Sequence, residues 1–417
     1  MSTVLSRHAA PVAAELLDHF PGVVIEGARQ VGKSTFAAQI AQPDALLMNL
    51  DDDDIRDAAL ADPAGFIAQA QGRQLVVDEI QRAPSLTLAV KASIDRDRRP
   101  GRFILTGSSS LLRVRGTADS LAGRVGRMTI YGLSRGEVTG RHDDFASALA
   151  TNPADITTLI TTEARNDYAE LLAGGAYPEV RHATPRVRES WIQAYLAGVI
   201  GRDLPELRRE VRPARSMAIL RALAGRQSAE LVKATLAEES GVPARTITGY
   251  LDLLHDVGLV HSVPPWTPNL SKRETGRAKA FVIDSALAMW LTKITSLQLA
   301  QITYGESLGA MLEAFVGVEI LRQRVWSARR FDVFHYRDRN GDEVDYVLEF
   351  DDGSVIGIEV KAAQSFGRKQ FAGLTALRDK LGDRFVAGIV LNTGTKGYRY
   401  ADRLYGAPIS ALWHYGS

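Results

Sequence analysis

Cysteine is absent from the 417 residues, which removes disulfides, thiol catalysis and cysteine-ligated zinc. That fits a reducing cytoplasm. Histidine is sparse: the eight present are scattered with no HExxH-like pair, so a zinc site is not expected. No run approaches ~18 apolar residues, which excludes a membrane-spanning helix. The first twenty residues make a poor signal peptide, because His8, Asp18 and His19 break their apolar stretches. A cytoplasmic location with no membrane partner is therefore the expectation. Excess charge of one sign is also missing, with 50 Lys and Arg against 49 Asp and Glu. Any nucleic-acid partner must then be met by a local patch. What remains is ordinary globular composition, 45% hydrophobic and 24% charged, in a chain long enough for two to four domains of about 100–200 residues.

The stretch PGVVIEGARQVGKSTFAAQIAQ reads as an apolar strand, a Gly-rich turn and a helix. Gly27 to Ser34 fits GxxxxGK[ST], in which glycines let backbone N–H groups point at phosphate oxygens. Lys33 supplies a cation to the β- and γ-phosphates, Ser34 a hydroxyl to Mg²⁺, and the helix its positive end. The candidate nucleotide contacts are Gly27, Ala28, Arg29, Gln30, Val31, Gly32, Lys33, Ser34 and Thr35, and the expected cofactors are ATP and Mg²⁺. A second apolar strand, Leu75-Val76-Val77, delivers Asp78 to the metal shell and Glu79 to the attacking water. A third ends in Thr106-Gly-Ser-Ser-Ser, where Ser108 is the candidate γ-phosphate sensor. Arg124, or Arg127 beside it, is a candidate for reaching the γ-phosphate of a neighbouring subunit; the alternative is a surface or salt-bridged arginine. Strands alternating with helices imply a parallel α/β sheet that carries its functional groups at the strands' carboxyl ends. The Asp51–Asp54 run reads as a solvated loop.

With GARQVGKS, LVVDEIQ, FILTGSSSLL, SLAGRVGRMTIYGLS with Glu137, GGAYPEV at 174–180, and Tyr195 through Arg202-Asp203 in hand, a resemblance emerges. Residues 20–140 resemble the AAA+-like ATPase domain of a large prokaryotic family. Its members carry a C-terminal domain whose role is mostly unassigned. The resemblance implies P-loop ATPase activity and leaves the process served open.

Residues 142–162 are weakly patterned and read as a linker or a loose helical pair. Residues 163–212 read as helical, with Trp191, Tyr195 and Leu196 at core spacing. In 216–262, three short amphipathic helices precede an apolar strand, with Gly241 as the tight-turn residue and Pro243 opening the next helix. This looks like a winged helix, which would place Arg245, Thr246, Thr248 and Tyr250 near DNA. The alternative is a unit that packs or contacts protein. Lys272, Arg273, Arg277 and Lys279 form a basic run that either binds phosphate or is solvated.

From 306 onward the order is helix, three strands, helix, strand, the first helix carrying an apolar stripe at Leu308, Leu312, Phe315, Val316 and Ile320. Strand alternation puts Glu343 and Asp345 on one face, and likewise Glu359 and Lys361. If their strands pair, Asp345, Glu359 and Lys361 converge; two carboxylates hold a hard cation, Glu313 adds a contact, and the lysine steadies phosphate. The pattern resembles the PD-(D/E)XK nuclease-like fold, although Val344 stands where that name has proline.

The expected architecture is α/β: a P-loop AAA+-like ATPase domain (1–145), a helical linker or lid (146–215), a winged-helix-like domain (216–290) and a PD-(D/E)XK nuclease-like domain (300–417). The leading expectation is an ATPase coupled to a nuclease-like domain that acts on nucleic acid, with Glu79, Asp345, Glu359 and Lys361 catalytic and Ser34, Asp78, Asp345 and Glu359 on metal. The rival is a nucleotide-gated switch or scaffold whose C-terminal domain cuts nothing and binds DNA or protein. DNA and a second copy of the chain are the candidate partners.

Overall fold

The computed structural model describes residues 4–108, 121–268, 273, 276–338, 341–364 and 367–416. These described residues fall into two compact units, those within 1–133 together with 256–258, and those within 134–255 and 259–417.

In the first unit the apolar runs become β1 (Gly22–Gly27), β2 (Leu46–Asn49), β3 (Leu75–Asp78), β4 (Phe103–Ser108) and β5 (Val125–Thr129). Every pairing is parallel and the order is β2-β3-β4-β1-β5. Helix α1 (Ala10–His19) precedes β1, and helices α2 (Lys33–Ile40) and α3 (Ser85–Arg96) belong to the crossover segments. β1 is buried along its whole length, as a central parallel strand with both faces covered must be. Its core neighbours include Leu75, Val77, Leu86, Val90, Phe103 and Leu105. Register aligns the strand ends, Gly27 opposite Ser108 and Leu75 opposite Phe103, so the groups leaving β1, β3 and β4 share one edge. The aspartate run does not form the expected solvated loop. Asp52 caps helix Asp53–Ala61 by accepting from the N–H groups of Asp54 and Ile55, and Asp53 and Asp54 occupy its first turn, where carboxylates complement the helix dipole.

The second unit opens with residues that read as a loose linker but are packed. Asp144 caps helix Phe145–Thr151 and its carboxylate accepts from Ser327 Oγ (2.7 Å) and Ala328 N (2.8 Å). Then come α4 (Arg165–Gly174), α5 (Pro185–Gly198), α6 (Pro213–Gly225), β6 (Ala229–Glu230), α7 (Lys233–Ser240), α8 (Ala244–Asp256), β7 (Val260–Val263) and β8 (Lys279–Val282). The three strands form an antiparallel sheet in the order β6-β8-β7. After α9 (Ser285–Thr292) runs α10 (Gly305–Gln323), then β9 (Phe331–Arg337), β10 (Glu343–Phe350), β11 (Val355–Lys361), α11 (Ala372–Leu381), β12 (Phe385–Asn392), β13 (Tyr398–Ala401) and β14 (Leu404–Pro408). The sheet order is β13-β14-β12-β11-β10-β9, antiparallel from β9 to β11 and parallel from β11 through β12 to β14.

α10 is buried beyond its sequence stripe, down to Glu319, Arg322 and Gln323. Residues 135–145 explain this: the Arg135 N–H donates to Glu319 (3.0 Å) and the Phe145 N–H to Gln323 Oε1 (2.9 Å). No helix among the described residues is long and apolar enough to cross a membrane.

Candidate functional site

The first cluster grows from the end of β1. Gly27 must lack a side chain, because a Cβ there would lie 2.3 Å from the Ile130 carbonyl oxygen. The turn proceeds through left-handed backbone at Gln30 (φ 60°) and Gly32 (φ 95°). Gly32 is the N-cap of α2 and no side chain among the described residues caps the helix, which leaves its first amides to an anion. Lys33 is buried and its Nζ donates to the Ala28 carbonyl at 3.0 Å, 3.9 Å from Glu79. Burial lowers its pKa, against the pull of Glu79 and Asp78. Gln30, Ser34 and Thr35 are exposed, Arg29 is half-buried, and Ala28 and Val31 are buried. Arg7, which the sequence did not single out, braces the turn: its guanidinium donates to the carbonyls of Val31 (3.0 Å) and Tyr131 (2.7 Å).

β3 carries Asp78 and Glu79 to the same edge. Glu79 has left-handed backbone, φ 57° and ψ 45°, which is uncommon without glycine and characteristic of functional turns. Two further residues hold the pair. Thr106, fully buried on β4, donates its hydroxyl to Asp78 Oδ1 and accepts the Glu79 N–H at 3.2 Å. Gln81 donates its amide to Glu79 Oε2. Ser108 ends β4 opposite Gly27, but its side chain lies outside the described residues. Arg124 is ion-paired with Asp95 on α3, through Nε at 2.7 Å and Nη2 at 3.1 Å, the salt-bridged alternative of the sequence reading. Arg127 is exposed. This donor set fits a polyphosphate with a hard cation: a side-chain-free cradle, free helix amides, one ammonium, one hydroxyl and two carboxylates.

The second cluster lies between α10, β8, β10 and β11. β10 and β11 pair antiparallel, Tyr346 opposite Ile358, and a register shift between Val344 and Val347 re-aims β10 at this point. Asp345 Oδ2 accepts the Val360 N–H at 2.9 Å, and Lys361 lies 2.5 Å from Glu359 Oε1. Asp345, Glu359 and Lys361 are thus brought together. The cation against Asp345, however, is an ammonium group. Lys279 Nζ lies 2.9 Å from Glu313, 2.9 Å from Glu343 and 3.1 Å from Asp345. The residue is only 3% exposed. Burial works to lower its pKa, but Asp345, Glu313 and Glu343 outweigh it and raise it. Burial and Asp345 push Glu359 up to about 8, and burial holds Glu313 well above the carboxylate range. Among the described residues no group of three or more His, Asp or Glu is arranged to hold a metal.

The basic run to which Lys279 belongs is therefore not solvated throughout. Arg273 is ion-paired with Glu349 at 2.5 Å and stacks over Phe334 at 4.6 Å. Arg277 is exposed, and Lys272 lies outside the described residues. On α8, Arg245 and Thr248 are exposed and Thr246 is half-buried. Tyr250, expected near DNA, is instead buried, its hydroxyl accepting the Arg212 N–H at 3.1 Å.

Fold and site define the first unit as a P-loop ATPase-like domain of the AAA type. Residues 19–139 match the family described as AAA domain. Residues 165–298 and 308–412 match two families described as Domain of unknown function, DUF8612 and DUF4143. Over 376 residues the chain is 28% identical to an uncharacterized protein of Mycobacterium tuberculosis, covering 89% of this chain and 78% of that one. The same figures hold for an uncharacterized protein of Mycobacterium bovis. Among solved structures, Thermotoga maritima RuvB T158V aligns at TM-score 0.27 and 18% identity, over 66% of this chain and 92% of that one. The Bacillus subtilis DNA clamp loader delta protein aligns at TM-score 0.28 and 12% identity, over 70% and 99%. At such scores these likenesses carry no functional reading.

Proposed function

We propose that the chain binds and hydrolyses ATP with Mg²⁺ and uses the nucleotide state to gate a DNA-holding second unit whose nuclease-like domain does not cut. The observation that carries the ATPase half is the meeting of the Gly27–Ser34 turn, Asp78 and Glu79 at one sheet edge. Lys33 leaves the Ala28 carbonyl for the β- and γ-phosphates, while backbone amides of the turn take the remaining oxygens. Mg²⁺, when bound, neutralises charge developing on the phosphates; Ser34 and Asp78 would hold it. Glu79 orients and polarises the attacking water, and Gln81 and Thr106 set the positions of Glu79 and Asp78. Ser108 remains the candidate sensor, and Arg124 acts on a neighbouring copy only after releasing Asp95.

In this reading residues 1–145 are the ATPase domain, 146–215 its helical lid, 216–290 a winged helix and 300–417 a PD-(D/E)XK-like domain, in a cytoplasmic protein. The strand and helix order of the second unit supports both latter assignments. The Lys279 ammonium among Glu313, Glu343 and Asp345 favours holding over cutting, because a divalent cation needs those same oxygens. The cutting reading keeps one supporting observation, the shared face of Asp345, Glu359 and Lys361.

Phosphate release tests the first half: Lys33→Ala and Glu79→Gln should each lower turnover by at least 100-fold, and parental rates in both would remove the ATPase assignment. Incubation of linear duplex and single-stranded DNA with Mg²⁺ or Mn²⁺ tests the second. Intact DNA is expected; cutting that Glu359→Ala abolishes would restore the nuclease.

A further inference from the structure

A chain of near-zero net charge concentrates positive charge in one stretch. Between residues 202 and 226 stand seven arginines against three carboxylates, and no lysine. Two of the arginines are engaged, Arg202 with Asp203 and Arg226 with Glu239. Arg208, Arg209 and Arg212 are exposed, Arg215 is half-buried, and among the described residues none of the four is ion-paired.

Two contacts lay this stretch along α8. Tyr250 accepts the Arg212 N–H at 3.1 Å. One residue earlier, Gly249 makes room for Arg208, whose Nη1 would lie 2.9 Å from a Cβ at that position. Positions 245 and 252 lie one turn to either side of Gly249 on the same helical stripe. Arg245 and Asp252 there are both exposed. Arg208 is thereby brought onto the exposed stripe of α8 that carries Arg245. The carboxylates on this surface are Glu206, Glu210 and Asp252, all exposed.

We propose that Arg208, Arg209 and Arg212, with Arg245 on α8, form a phosphate-binding surface for duplex DNA. The proposal rests on the DNA-holding reading above and names the surface that reading lacks. Unpaired guanidinium groups offer planar, bidentate donors that match phosphate oxygens. They flank the exposed stripe of α8, and a helix has the diameter a major groove admits. A protein-docking face would expose an apolar centre, whereas Leu207 is the one large apolar side chain exposed in this stretch among the described residues. The same shortage of apolar surface argues against insertion into a lipid interface.

The test is fluorescence anisotropy of a labelled 30-base-pair duplex with the full chain, titrated from 50 to 300 mM KCl. Each phosphate contact contributes about 0.9 to the slope of log affinity against log salt. The triple variant Arg208→Ala/Arg209→Ala/Arg212→Ala should lose at least tenfold in affinity at 100 mM KCl, and its slope should shrink by about 2 to 3. It should keep ATP turnover and circular dichroism, and the matching triple lysine variant should retain most of the slope. A control removing two exposed charges elsewhere, Arg368→Ala/Lys369→Ala, should leave the slope unchanged. A parent that binds duplex while the triple alanine variant matches it in affinity and slope overturns this surface alone. A parent that binds no duplex, or prefers phosphatidylserine vesicles to it, overturns the DNA-holding reading as well. ATP turnover lost through Lys33→Ala touches neither outcome.

Discussion

An ammonium group surrounded by three carboxylates decides how the second cluster reads. Replacing Lys279 with methionine keeps most of the volume and removes the charge, leaving buried Asp345 and half-buried Glu313 and Glu343 facing one another. Removing one partner of such a group costs about 3–5 kcal/mol. Lys279→Met should therefore lower the unfolding free energy of the second unit by an amount of that order, read as a lower urea midpoint at unchanged slope, more at pH 8 than at pH 6, and adding Asp345→Asn should return part of it. A midpoint unchanged at both pH values would mean that the ammonium is not held as described. Sequence could not locate this residue's role. Lys279 stands at the end of a basic run, and its three partners are 34 to 66 positions away. The one local hint is that it opens the apolar strand Lys-Ala-Phe-Val, all four of which are buried. Glu26 offers a cleaner titration. Burial pushes it up to about 7, against Arg127, and its Oε1 has no hydrogen-bond partner among the described residues. Folded chains then keep a proton that unfolded chains lose above about 4.5, so stability falls as pH rises from about 4.5 to 7 and levels off beyond. The loss is at most about 3 kcal/mol. Glu26→Gln should flatten that slope in thermal unfolding measured from pH 5 to 8; a slope identical to the parent's would show that the carboxyl ionises normally.

At the scale of elements, the P-loop, the strand ending in Asp78-Glu79 and the paired helices α7 and α8 were readable because each is written in adjacent residues. Gly241 closes α7 in left-handed backbone at φ 65° and donates to Ala237 and Glu238, so one glycine marks that turn in both sequence and structure. Thr106, Gln81 and Arg7 were not readable, since their roles depend on which strand lies beside which. β13 and β14 escaped for a related reason: β13 is four residues long and pairs only at the sheet edge, too short to show a period. Packing between α10 and β10 depends on Gly317, where a Cβ would meet the Tyr346 hydroxyl at 2.3 Å. That hydroxyl donates to the Glu313 carbonyl at 2.8 Å. Overpacking of this kind costs about 1–3 kcal/mol, so Gly317→Ala should lower the unfolding midpoint and also disturb Glu313. The companion change Tyr346→Phe, which removes the clashing oxygen, should recover part of the loss in the double variant. Additive losses would place the strain elsewhere.

For the whole molecule, gating is a statement about free energy rather than about any single contact. If ATP and DNA each prefer one state of the chain, the factor by which ATP changes DNA affinity equals the factor by which DNA changes ATP affinity. Couplings of this sort are typically about 1–3 kcal/mol, or roughly 5- to 150-fold. The hydrolysis-deficient Glu79→Gln chain allows the measurement at equilibrium, because bound ATP persists. Duplex affinity should differ at least fivefold between the ATP-saturated and nucleotide-free chain, and ATP affinity should shift by the same factor when duplex is saturating. Lys33→Ala, which weakens the nucleotide, should lose the coupling while keeping the DNA affinity of the nucleotide-free parent. A ratio of one in both directions would leave two independent binding units on one chain. Unequal ratios would mean that one titration had not reached equilibrium, and repetition at longer times would then have to close the cycle for the switch to stand.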